Sequence, residues 1–135
     1  MKIPIPIRPI LTIIKEYRLL MANFIEINSN EELAKLFELS HNSPVVLFKH
    51  SVTCPISTNV YYEVSDLESD VNLVIVQKSR EISSEITQKT GIRHESPQAI
   101  VLKNGKAVYH ASHYDITAED IKNSQESRVE SRESI

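Results

Sequence analysis

Apolar positions in this chain recur with two different periods, and the switches between them predict the order of elements. Leu33, Leu36 and Phe37 follow Ser29-Asn30-Glu31-Glu32 at helical spacing. The Ser-x-x-Glu form is a capping box, in which each side chain satisfies a backbone N–H at a helix start, so a helix is predicted over about residues 30–40. "VVLFK", residues 45–49, is a short, nearly unbroken apolar run introduced by Pro44, and it reads as a buried central strand. Ile56, Val60, Val64 and Leu67 then recur every three or four residues, which starts a helix at or just after Cys54. "VNLVIVQ", residues 71–77, predicts a second buried strand. "SREISSEITQKTG", residues 79–91, puts Ile82 and Ile86 on one helical face and ends on Gly91, the residue best suited to a left-handed stop. "QAIVLK" and "KAVYHASH" flank Asn104-Gly105, a strong hairpin signal because both turn positions require positive φ. Thr117-Ala118-Glu119-Asp120 opens a last short helix ending near residue 124.

After the first helix the order is therefore strand, helix, strand, helix, strand, strand, helix. Strands joined through a helix run parallel with a right-handed crossover, whereas a hairpin is antiparallel. The expected fold is α/β and thioredoxin-like, a four-stranded mixed sheet flanked by helices. It occupies residues 21–124 as one domain, which suits a chain of 135 residues with 41% hydrophobic and 24% charged side chains.

The ends differ from this core. Residues 1–20 carry Lys2, Arg8, Lys15 and Arg18 against Glu16 alone, while the whole chain has a net charge of −3, so the acidity lies in the remainder. Pro4, Pro6 and Pro9 oppose an early helix, and the apolar run Ile10–Ile14 is far too short to span a membrane. This segment is expected to be an appendage outside the fold, an upstream start being the preferred reading and a transit peptide or membrane-surface anchor the alternative. Residues 125–135, rich in serine and in charges of both signs, are expected to form a flexible polar tail. Neither nucleic acid nor a membrane is an expected partner, because the core is acidic and no long apolar span is present.

The segment "HSVTCPIS", residues 50–57, holds the single cysteine, Cys54. One cysteine cannot staple a fold internally, so the chain reads as a protein of the reducing cytoplasm. In the predicted topology Cys54 stands at the carboxyl end of a central strand and at the start of a helix. Unpaired N–H groups and the positive end of the helix dipole meet there, and both favour a thiolate over a thiol. Pro55 occupies the first helical turn, where its missing N–H costs nothing. Ser57 takes the position of the second cysteine of a redox dithiol. It shares a helical face with Cys54 and is expected to donate a hydrogen bond to the thiolate without being able to attack a disulfide.

Taken together, "FKHSVTCPIS", "IVQKSREISSEITQKTGIRHESPQAIVLKNG" and "VYHASHYDIT" resemble the monothiol type of the bacilliredoxin family, the general-stress thioredoxin-like proteins of Firmicutes. The resemblance spans roughly residues 23–123 and implies removal of bacillithiol from mixed disulfides on cytoplasmic proteins as part of oxidative-stress defence. It implies that Cys54 is the nucleophile, that Pro97 is a cis-proline facing it, and that Thr53, Pro55, Ser57, Ser96 and Pro97 surround the substrate. From the residues alone, trans is the commoner geometry for an X–Pro bond. No bound cofactor is implied. Bacillithiol is the implied co-substrate, and the implied partners are S-bacillithiolated client proteins together with bacillithiol or a reducing partner protein.

Other chemistries are weighed by the same residues. His50 and His94 are candidates for electrostatic support of the thiolate, against plainer roles as a strand-end side chain and a loop hydrogen-bonder. His110 and His113 suggest a metal, but residues three apart on a strand face opposite ways, so no metal site is expected. A Cys-x5-Arg phosphatase loop requires arginine where this chain has Val60. Ser51, three residues before Cys54, fits a peroxidatic cysteine, although the upstream proline of such sites is not at its spacing. The alternative of another class is a non-catalytic redox sensor or adaptor modified at Cys54.

Overall fold

The computed structural model describes residues 21–127. Along them run β1 (Asn23–Glu26), α1 (Asn30–Leu39), β2 (Val45–His50), α2 (Pro55–Val64), β3 (Asp70–Ile75) and α3 (Arg80–Thr90). β4 (Gln98–Lys103), β5 (Lys106–Ser112), a 3-10 turn (His113–Asp115) and α4 (Ala118–Glu126) complete the fold. The expected appendage, residues 1–20, lies outside the described residues, as does most of the expected tail. Residues 125 and 126 belong to α4, which runs two residues further than the sequence pattern predicts, and the Gln125 amide bonds the Ser69 hydroxyl at 3.2 Å.

The mixed sheet has five strands in the order β1-β3-β2-β4-β5, one more than expected. The missed strand is β1, whose four residues alternate between exposed and half-buried and carry too short a pattern to stand out. Its identity comes from pairing parallel to β3, Asn23 against Asp70 through Glu26 against Leu73, and from Phe24 stacking on Tyr61 at 4.3 Å. β2 is parallel to β3 and antiparallel to β4, so it is bonded on both edges. The β4–β5 hairpin turns at Asn104 and Gly105, both at positive φ as predicted, and a side chain at residue 105 would press on the His41 ring at 3.2 Å. Ser29 and Thr117 cap α1 and α4 by accepting the N–H groups of Glu32 and Asp120.

Alternation along β2 divides the core in two. Val46 and Phe48 face a layer containing Val60 and Val64 of α2 and Ile121 of α4. Val45 and Leu47 face Leu33 of α1 and Ile82 and Ile86 of α3. The next residue on that second face is Lys49, fully buried, with its Nζ donating to the Ser83 carbonyl at 3.3 Å and lying 3.2 Å from His94 Nδ1. Both partners are uncharged acceptors when His94 is neutral. Burial lowers the Lys49 ammonium to about 8, because the charged form loses its hydration.

The folded-state value thus lies below that of an unfolded chain, so the unfolded state binds the Lys49 proton more tightly between about pH 8 and the ordinary lysine range. Stability gained from this group rises with pH across that window and is level below it. Lys49→Met, which keeps an unbranched chain and removes the desolvated charge, is expected to match or exceed the parent at pH 7 and to flatten the rise. Urea midpoints at pH 7 and at pH 10 check this. A rise equal in both proteins would mean that Lys49 titrates in water.

Candidate active site

β2 ends at His50, and Ser51, Val52 and Thr53 carry the chain to Cys54, the N-cap residue of α2. Pro55 follows at the first helical position, as the sequence implies. The Cys54 carbonyl accepts the first helical bond, from the Thr58 N–H at 3.1 Å, while its side chain makes no capping bond and is half-buried. Cys54 thus stands half-buried at the N-terminal end of α2, with its side chain uncommitted to the cap.

The three residues before the cysteine are held by one side chain that sequence reasoning did not single out. β3 ends at Ile75 rather than running to Gln77, because the N–H groups of Lys78 and Ser79 turn back to the Ile75 carbonyl. Gln77 is thereby released toward the cysteine loop. Its Nε2 donates to Ser51 Oγ at 2.7 Å and to Thr53 Oγ1 at 3.2 Å, and its Oε1 accepts the Val52 N–H at 3.2 Å. No local signal marks a glutamine for this task, since the loop it closes lies more than twenty residues earlier.

Ser57 has structural partners that its sequence position does not show. It is fully buried, its Oγ accepts the Ser51 N–H at 2.9 Å, and it lies 2.7 Å from His50 Nδ1. Bonded to both Ser51 and His50, the Ser57 hydroxyl braces the loop from beneath. His50 packs beside Phe48 and Tyr61, with centroids 5.9 and 5.1 Å away. Burial lowers its pKa below the usual histidine value, which leaves the ring neutral at pH 7. It supports the loop through its hydrogen bond and brings no positive charge.

Gln98 of β4 pairs with Lys49 of β2, so Ser96 and Pro97 arrive at the sheet end where His50 and the cysteine loop begin. The Ser96–Pro97 bond is cis. The Pro97 carbonyl accepts the His113 N–H at 3.0 Å, whereas neither backbone group of Ser96 bonds another backbone group among the described residues. His94 stands on the other face of the sheet end. Its Nδ1 meets Ser83 Oγ at 2.9 Å as well as Lys49 Nζ, and its pKa is lowered by burial first and by the Lys49 charge second, with Glu95 opposing. It is a hydrogen-bonding loop residue, neutral at pH 7, and not a source of charge. β5 ends at Ser112, leaving His110 on the strand and His113 in the turn beyond it.

A search of protein families matches residues 25–121 to the family described as monothiol bacilliredoxin BrxC. The chain belongs to the monothiol bacilliredoxin family. Among solved structures, one described as a candidate oxidoreductase with a thioredoxin fold is 34% identical, with a TM-score of 0.70, over 76% of this chain and 94% of that one. The thioredoxin of Fasciola hepatica matches with a TM-score of 0.58 at 17% identity, covering 73% of this chain and 93% of its own. Spinach chloroplast thioredoxin f, short form, gives 0.58 at 18%, covering 78% and 96%. The last two establish the thioredoxin fold and no more.

In this monothiol bacilliredoxin the serine three residues after the cysteine is a packed, hydrogen-bonded group. Replacing it with alanine strips the buried Ser51 N–H of its acceptor and His50 of its partner. Ser57→Ala is expected to lower stability by about 1–3 kcal/mol. Urea unfolding at pH 7 measures the loss, and a change below about 0.5 kcal/mol, the range of neutral surface substitutions, would show that water replaces the hydroxyl.

Proposed function

We propose that this bacilliredoxin acts in the cytoplasm to remove bacillithiol from mixed disulfides on client proteins, with Cys54 as its nucleophile. The Cys54 thiolate attacks the bacillithiol sulfur of the client disulfide. A new disulfide forms between Cys54 and bacillithiol, the old one breaks, and the client sulfur leaves as a thiolate that takes a proton from water. Two electrons pass to the client, and the protein retains the small thiol. A second thiol, bacillithiol or the thiol of a reducing partner protein, then attacks the bacillithiol sulfur of the adduct as a thiolate, departs as a disulfide with it, and releases Cys54 as a thiolate.

The observation that carries this reading is the pairing of a half-buried lone cysteine at the start of α2 with a buried hydroxyl three residues on. No internal thiol is present to resolve the adduct, so the catalytic cycle must pass through an external one. The backbone of Ser96, which bonds no other backbone group among the described residues, lies at the same sheet end and supports the reading by offering an extended client segment a place to bond. The family match and the thioredoxin fold support thiol redox chemistry in general.

Cys54→Ser is expected to fold, because serine is a good N-cap residue, and to release no client thiol above the uncatalysed rate from an S-bacillithiolated protein. Client thiol release is followed by dye, and the adduct on the parent protein by intact mass. Activity retained in Cys54→Ser would overturn the proposal. A parent protein that forms the adduct and never turns over with added thiol would instead be a redox sensor.

A further inference from the structure

Beside the cysteine loop, on the α3 side of the sheet, lies a cleft of about 560 Å³ bounded by Val76, Gln77, Arg80, Ser83, Thr87 and His94. Its size is that of a small-molecule site. Gln77 is its shared wall with the active site, since the amide of that residue holds Ser51 and Thr53 on the other side. Among the described residues no acidic side chain lines the cleft, although the chain as a whole is acidic.

Three cationic or donor groups converge there. Arg80 lines the cleft and forms no ion pair among the described residues. Lys49 lies directly behind the wall, with its Nζ on the Ser83 carbonyl and on His94 Nδ1 and no carboxylate within ion-pair distance among the described residues. A buried ammonium without a counterion is costly, and an anion bound in the adjoining cleft recovers part of that cost. The Lys49 ammonium can only donate, so His94 Nδ1 accepts from it and the ring proton sits on Nε2, a further donor on a side chain that lines the cleft.

We propose that this cleft binds the carboxylate-bearing part of the small thiol that Cys54 exchanges. The inference rests on the function proposed above and names its substrate class: an anionic low-molecular-weight thiol, preferred over a neutral or cationic one. Arg80 holds the carboxylate through its planar pair of N–H donors, and Lys49 supplies charge from behind Ser83 and His94. Gln77 links the two halves of the site, keeping the cleft in a constant position relative to the cysteine loop.

The test uses one neutral cysteine peptide made into three mixed disulfides, with mercaptosuccinate, 2-mercaptoethanol and cysteamine. Peptide release by the reduced full-length protein is measured in a single turnover, and each rate constant is divided by that for free cysteine as attacking thiol, which removes intrinsic reactivity. The mercaptosuccinate disulfide is expected to exceed the 2-mercaptoethanol disulfide by about tenfold, the size of one charge-assisted hydrogen bond, with cysteamine slowest. In Arg80→Ala the ratio between the first two should fall toward one, Arg80→Lys should restore part of it, and Lys49→Met should reduce it. Intact mass should place mercaptosuccinate on Cys54. A ratio near one in the parent, or the same ratio in Arg80→Ala, would overturn the proposal while leaving the exchange reaction standing. A preference that follows acidic residues added to the peptide, and not the small thiol, would overturn it too. Failure of the parent to exchange any of the three disulfides would overturn the proposed function itself, and this inference with it.

Discussion

Burial of β2 is the constraint on which the rest of the structure depends. The strand is bonded to β3 on one edge and β4 on the other, and helices cover both of its faces. Five successive buried residues, Val45 to Lys49, leave it no freedom of register, since a slip of one position would exchange the two sets of side chains between the two cores. The end of β2 is therefore a rigid point. Cys54 hangs from that point by three residues, and α2 starts there because its apolar stripe, Val60 and Val64, has to meet Val46 and Phe48.

A short loop at a strand end has backbone N–H groups that the sheet no longer serves. Here they are bonded by side chains from two other elements: the Ser51 N–H by Ser57 of α2, and the Val52 N–H by Gln77 after β3. The loop conformation is thus determined by its neighbours more than by its own sequence. This separates holding the cysteine from reacting with it. The groups nearest the loop, Ser57, His50 and Gln77, serve as hydrogen-bonders that fix its backbone and side chains.

Positive charge lies on the other side of the sheet end. Lys49 is buried at a position where the alternation of β2 calls for an apolar side chain, and an unbranched apolar residue would fill the same space without the cost of a desolvated charge. Groups that break a local rule in this way commonly mark function. Its partners, Ser83 and His94, belong to the wall of the cleft beside the cysteine loop, so the exception and the cavity coincide.

Much of this was determined by sequence alone. The Ser29 capping box, the Thr117 helix start, the apolar runs at 45–49 and 71–77, the Asn104-Gly105 turn and the Gly91 stop are local signals whose physics acts within a few residues, so four strands and four helices were legible with bounds shifted by only one or two positions. The place of Cys54 at the strand–helix junction was legible for the same reason. β1 was not, because an edge strand of four half-exposed residues is defined by its partner, β3. The partners of Ser57, the neutrality of His50 and His94, and the clamp formed by Gln77 were not legible either. Each depends on which groups from distant elements share the sheet end, and on how far burial there strips them of water; only the tertiary structure decides both.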